Sequence, residues 1–381
     1  MVMPYPRSCR VPRRLLLLVV LFAAAVASCS DIVGGNKGGA PDLLWRTAHE
    51  PRFASSDEMP AADGARLYAI AGGMVAYDAE TGAILWTRSL TETIPRNVLV
   101  RSGRVLAAEG VAFAVDAATG QELWSLDQDS HSAFSVSAAD EQLFFVGTAS
   151  HRVYALDQVT GVVRWSVDVG PDWAYLGVIR GLAVSGDTVY ASAEQYNAQN
   201  GYISTGWLVA LDRGTGRVLW SYRNGDGTDW RTVMGSPAVW GTLLLASDLK
   251  GNSFFAVDRF TGQEVWRVTG PRDKFGPNQA PLVVNGIAYV ASNDTYVYAV
   301  DVQTGRQVWK TKTPASNRSF TVCGDRIFVT WLGLSVLDRR TGRTLYQQDE
   351  EATEYPTSGF AVDGDRVFVL GNRAAYAYRC R

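Results

Sequence analysis

Seven copies of one pattern, Ala-x-Asp-x-x-Thr-Gly-x-x-x-Trp, constrain this chain more than any other feature. The first copy runs from Ala76 to Trp86. The aspartates are Asp78, Asp116, Asp157, Asp212, Asp258, Asp301 and Asp338, each followed by Thr at the third position and Gly at the fourth. The ring at the eighth position is Trp86, Trp124, Trp165, Trp220, Trp266 and Trp309, with Tyr346 closing the last copy. Successive aspartates lie 38, 41, 55, 46, 43 and 37 residues apart. A period of about 40 residues with all-β patterning is the signature of propeller blades.

Four short strands fit in one repeat. In the sixth, residues 281–284 form an apolar run, Asn285-Gly286 is a hairpin turn signal, and residues 287–291 form the second run. Residues 292–294 turn again, 296–300 give a third strand, 301–305 turn, and 307–310 give the outer strand. The motif residues have local work to do. Asp accepts hydrogen bonds from the turn it opens, and Gly supplies a positive φ there. The Trp rings, one per repeat on the outer strand, are placed to pack on the neighbouring blade. Recurrence at one position in every repeat points to packing and away from a ligand site.

The blade count is eight. Residues 358–379 repeat the first three strands of a blade, and Leu43-Leu44-Trp45-Arg46 has the outer-strand pattern with no strands before it. We therefore expect an all-β, eight-bladed propeller of four-stranded antiparallel blades over residues 43–381, closed by the N-terminal strand. Such closure removes an open sheet edge that invites aggregation.

The N-terminus reads as an address. Residues 7–14 carry four arginines and no acid, and Leu15 to Ala27 are all apolar. A basic segment before a short apolar one is the pattern of a secretory signal. Thirteen residues are too few to span a bilayer comfortably. Val26-Ala27-Ser28-Cys29 resembles the bacterial lipobox, which implies a signal peptide over 1–28 and lipidation of Cys29. Ordinary cleavage beside an incidental cysteine is the alternative. Ser30 follows, where an Asp would be a retention signal in enterobacterial lipoproteins, so the resemblance implies an outer-membrane anchor facing the periplasm. Residues 29–42 are Gly-rich and polar, as a flexible tether would be. Removing residues 1–28 takes the formal net charge from -2 to about -6, and no basic stripe marks a nucleic-acid binder.

Cys323 and Cys380 are the cysteines left in the propeller, and in an oxidising compartment they can pair. Both would end strands on one face of adjacent blades, but at different distances from the ring axis. Pairing and two free thiols both stay open at this level.

The repeat resembles the tryptophan-docking repeat of quinoprotein (PQQ) propellers, over nearly all of residues 43–381. One branch of that family is the quinoprotein alcohol dehydrogenases. Another is the BamB-like propeller lipoproteins of the outer-membrane β-barrel assembly machine, which are not catalysts. Lipobox, size and a ring closed by the N-terminus match the second branch. The enzyme branch carries an adjacent cysteine pair over the quinone and a cation held by oxygen ligands. Here no two cysteines are adjacent, and the best acidic segment, Asp226-Gly227-Thr228-Asp229, reads more simply as a surface turn. His49, His131 and His151 have no metal-ligand spacing. We therefore expect no catalytic residues, cofactor or metal. The resemblance implies a non-catalytic scaffold assisting β-barrel protein assembly. A propeller binding another envelope ligand (polysaccharide, peptide or protein) or a quinone-dependent dehydrogenase are the alternatives.

Loop length suggests where a partner binds. Four long segments fall on one face of neighbouring blades: Asp168 to Gly177, Ala193 to Gly206, Arg223 to Gly235 and Gly270 to Gln279. They carry Trp173, Tyr175, Tyr196, Tyr202, Trp230, Arg231 and Phe275, residue types that anchor protein interfaces. The competing reading is that these rings only pack the loops down.

Overall fold

The computed structural model describes residues 40–49, 58–90, 95, 97–127, 134–170, 177–197, 203–224, 234–248, 252–270, 279–314, 319–330, 333–348 and 352–381. Among them every regular element is a strand, and the strands form eight four-stranded antiparallel sheets, the blades of a propeller. In chain order blades 1 to 7 occupy residues 61–88, 98–126, 134–168, 177–224, 238–269, 282–312 and 319–347. Blade 8 takes its first three strands from residues 356–379 and its fourth from Leu43–Ala48.

The N-terminal strand closes the ring as expected. It pairs antiparallel with Ala374–Arg379, setting Trp45 opposite Ala377 and Arg46 opposite Tyr376. Further bonds pin its ends: the Arg379 amide donates to the Asp42 carbonyl at 2.8 Å, and the His49 amide to Arg373 at 2.9 Å.

The repeated motif builds one local structure seven times. In blade 3, Asp157 Oδ1 accepts from the amides of Val159 and Thr160 and from the Thr160 hydroxyl, at 2.9 to 3.0 Å. The Gly161 amide returns to the Asp157 carbonyl at 2.9 Å. Gly161 has φ +71°, and a Cβ there would lie 2.7 Å from the Trp124 ring of blade 2. The Trp124 indole donates to the Gln158 carbonyl at 2.9 Å. The ring thus docks on the next blade's turn, with its N–H on the carbonyl after the Asp. The same bond joins Trp45 to Ala79, Trp86 to Ala117, Trp165 to Arg213, Trp220 to Arg259 and Trp266 to Val302.

The core lies between blades. Eight clusters of buried side chains fill the eight seams, and their largest members include Phe145, Phe255, Phe328 and Phe368. Burying a Phe side chain contributes roughly 2 kcal/mol, so each seam is held mainly by apolar contact. Cys323 and Cys380 form a disulfide, with Cα atoms 5.5 Å apart. The radial offset expected between them is bridged by Cys380 folding in beside the first hairpin turn of its own blade, its amide bonded to Asp365 at 2.8 Å.

Blade 4 corrects one expectation. The segment from Ala193 to Gly206, read above as a loop, is largely paired strand. The second and third strands of this blade are Thr188–Asn197 and Ile203–Asp212, in unbroken register from Thr188↔Asp212 to Asn197↔Ile203. Pairing with the first strand reaches Gln195 and pairing with the fourth starts at Gly206, so residues 196–197 and 203–204 continue as a two-stranded ribbon beyond the rest of the sheet.

Candidate partner-binding face

Antiparallel order sorts the turns onto two faces. The Asp-x-x-Thr-Gly turns and the first-to-second strand turns share one. The second-to-third strand turns and the connections between blades share the other, and the long segments belong to this second face. What the structure describes of them is how they are rooted.

Asp168, the last residue of blade 3, stands at the start of the connection into blade 4. It lies 3.2 Å from His151 Nε2 and accepts from the Gly170 amide at 3.0 Å. The Val169 amide donates to the His151 carbonyl at 3.1 Å. Two residues and a short turn thus fix the direction in which the chain leaves the blade.

The end of the connection into blade 5 is held by a buried carboxylate. Glu194 is fully buried, pairs with Arg180 at 2.8 Å and accepts from the Met234 amide at 3.0 Å. A buried charge is costly unless paired and hydrogen-bonded, so this triangle ties three chain segments together. The start of the same connection is held by Asn224, which is buried, donates to Asp248 at 2.8 Å and accepts from Arg267 at 3.0 Å. Arg267 also meets Glu264 at 2.7 Å, bonds the Tyr222 hydroxyl and lies over the Phe255 ring at 4.3 Å. Burial, then the bond to Glu264, pushes the Tyr222 hydroxyl up to about 12. Burial opposes ionisation of Glu264, but hydrogen bonds from Arg267 and Tyr222 outweigh it and hold the carboxyl below its usual range. Gln279 ends the connection into blade 6 and accepts from the Phe320 amide of blade 7 at 3.0 Å.

Trp173, Tyr175, Tyr202, Trp230, Arg231 and Phe275 lie outside the described residues, as do Cys29, His131 and the acidic segment 226–229. Of the residues named from the sequence for this face, Tyr196 has a described backbone, paired with Ser204 in the blade 4 ribbon. The anchors themselves, Glu194, Arg180, Asn224, Asp248, Arg267 and Gln279, escaped sequence reading. One signal was present: Glu194 is an acid directly after the apolar and small run Val189–Ala193. Among the described residues no group of three or more His, Cys, Asp or Glu side chains is placed to hold a metal ion.

A family model described as "Outer membrane protein assembly factor BamB" matches residues 39–202 and 204–330. The chain belongs to this family. It is similar to the BamB of Yersinia pestis, 26% identical over 300 residues that cover 72% of this chain and 70% of that protein. It is also similar to a tetrathionate hydrolase of Acidithiobacillus ferrooxidans, 22% identical over 297 residues covering 72% of this chain and 58% of that one. A third relative is the dehydrogenase subunit of a quinone alcohol dehydrogenase from Gluconacetobacter polyoxogenes, 25% identical over 348 residues. That match covers 70% of this chain and 45% of the subunit, so the chain spans about half the length of each of these enzyme relatives. Among solved structures, the computationally designed Ika8 protein superposes with a TM-score of 0.71 at 16% identity, covering 89% of this chain and all of that one. The BamB of Moraxella catarrhalis superposes at 0.56 and 19% identity, covering 75% of this chain and 94% of that one. At these identities the structural likeness speaks for the fold.

Proposed function

We propose that this BamB-family propeller is a non-catalytic binding scaffold at the cell envelope, assisting assembly of outer-membrane β-barrel proteins through a protein partner. The observation that carries the reading is the rooting of the connections on one face by buried polar anchors on a rigid ring. Long segments on a fixed scaffold are where binding residues gather. Trp173, Tyr175, Tyr196, Tyr202, Trp230, Arg231 and Phe275 are the proposed contacts, with no nucleic acid involved. We further propose that residues 1–28 are a signal peptide, that Cys29 carries the lipid, and that residues 29–42 tether the ring to the outer membrane on its periplasmic side.

A quinone-dependent reaction is the second reading, suggested by the likeness to the quinone alcohol dehydrogenase subunit. A quinone site of the dehydrogenase kind calls for an adjacent cysteine pair and a cation on oxygen ligands. The propeller cysteines are 57 residues apart and join two blades, and no acidic cluster gathers among the described residues. The described residues do not fit that group.

Cross-linking in intact envelopes tests the scaffold reading. The expected capture is a component of the β-barrel assembly machinery. Capture of polysaccharide or of unrelated envelope proteins alone would contradict it. A Cys29→Ala chain should leave the membrane fraction. If it still sediments with membranes, the anchor proposal fails.

A further inference from the structure

Seven of the eight seams carry a docked tryptophan. Trp45 serves the seam between blades 8 and 1, and Trp86, Trp124, Trp165, Trp220, Trp266 and Trp309 serve the six that follow, each against the glycine of the next motif turn. The seam between blades 7 and 8 departs from this pattern on both sides. Blade 7 presents Tyr346 where the others present Trp. Blade 8 has Arg379 where the motif has Asp, and its fourth-strand position is already filled by Leu43–Ala48, so the motif turn has no place there.

The disulfide sits at the position of the missing dock. In blade 1 the residue after the motif Asp is Ala79, whose amide donates to Ala65 at 2.9 Å and whose carbonyl takes the indole bond. In blade 2 Ala117 does the same with Gly103 at 3.0 Å, and in blade 3 Gln158 with Gln142 at 3.1 Å. Cys380 is the blade 8 equivalent, with its amide on Asp365 at 2.8 Å. Its sulfur reaches Cys323, the last residue of the first strand of blade 7 (Ser319–Cys323). Tyr346 packs against the same buried cluster as both cysteines.

We propose that the Cys323–Cys380 disulfide is the latch of the eighth seam, standing in for the absent tryptophan dock, so that ring closure is redox-dependent at this seam and no other. The strand it pins, Ala374–Arg379, is the one that receives the N-terminal strand, so both closing devices act on one strand. Latching forms one S–S bond from two thiols. Two electrons and two protons pass to a disulfide-bearing oxidant, which leaves as its dithiol. Both half-cystines are buried, 4% and 5% exposed, so a reductant meets the bond only when the seam opens.

Amide hydrogen exchange on the full mature protein tests this. Three samples are compared: oxidised protein, protein kept under a phosphine reductant until titration gives two more free thiols, and the Cys323→Ala/Cys380→Ala variant. The expected result is exchange on the order of tenfold or more faster in Ser319–Cys323 and Ala374–Arg379 in the second and third samples, with blades 3 to 5 unchanged. Unchanged exchange at the two strands would overturn the proposal. Equal acceleration in all eight blades would overturn it too, because the bond would then stabilise the ring as a whole. If the variant does not fold, the reduced wild-type protein decides alone.

Discussion

Trp124 and Gly161 approach so closely that each explains the other. The ring needs a flat, Cβ-free surface, and the turn needs a residue tolerant of φ +71°. Losing the buried ring in Trp124→Ala should cost about 3–5 kcal/mol. Gly161→Ala should cost on the order of 2 kcal/mol through strain and clash. The double variant should cost clearly less than the sum, because removing the ring removes the clash. Denaturant unfolding of the three variants checks this, and strict additivity would mean the dock is not one unit. The sequence displayed this motif openly but not the reason for its alanine. In the structure the alanine is the residue opposite the ring across the outer hairpin: Ala76 faces Trp86, Ala155 faces Trp165 and Ala299 faces Trp309. Blade 7 exchanges both members, setting Val336 opposite Tyr346, a larger residue against a smaller ring. The motif aspartates also set an acid limit. Hydrogen bonds from Arg164 and from the Thr160 amide and hydroxyl hold Asp157 down at about 2. Its folded pKa lies below the unfolded value of about 3.9, so its stabilisation is present above pH ~4 and is lost as pH falls toward 2. Melting temperature should drop across that window, and less steeply in Asp157→Asn. Parallel pH profiles for the two proteins would contradict this.

Among the elements, the strand Leu43–Ala48 has the largest consequence for its size. It supplies the tryptophan dock between blades 8 and 1, through Trp45, and covers the edge of Ala374–Arg379. Deleting residues 43–48 should lower the melting temperature by about five degrees or more, since loss of the ring contact alone is worth about 3–5 kcal/mol, and should expose an edge prone to aggregation. An unchanged melt and a monodisperse product would contradict the closure. This element was legible because an outer-strand pattern stood alone before the first blade. The blade 4 ribbon was not. Glu194, Gln195 and Asn197 interrupt the apolar alternation, so the segment reads as loop, whereas the burial of Glu194 depends on Arg180 and on the Met234 amide, partners 14 and 40 residues away in sequence. Long-range polar pairing of this kind leaves no period in the sequence.

At the scale of the whole molecule, one repeated contact makes seven seams and a covalent bond makes the eighth. The result is a rigid ring whose second face carries long connections rooted in place. The ring and its closure could be read from repeat spacing, turn signals and one stray strand. The anchors of the second face could not, because they pair polar residues far apart in sequence, Glu194 with Arg180 and the Met234 amide, and Asn224 with Asp248 and Arg267. The proposed function rests on that face. The most direct measurement is capture of envelope partners by wild-type protein and by a chain in which Trp173, Tyr202, Trp230 and Arg231 are all replaced by Ala, with circular dichroism and melting confirming that both rings are intact. The expected result is that the wild-type protein brings down its assembly partner and the quadruple variant, equally folded, does not. Equal recovery by the two would place the binding site elsewhere and leave this face a structural rim.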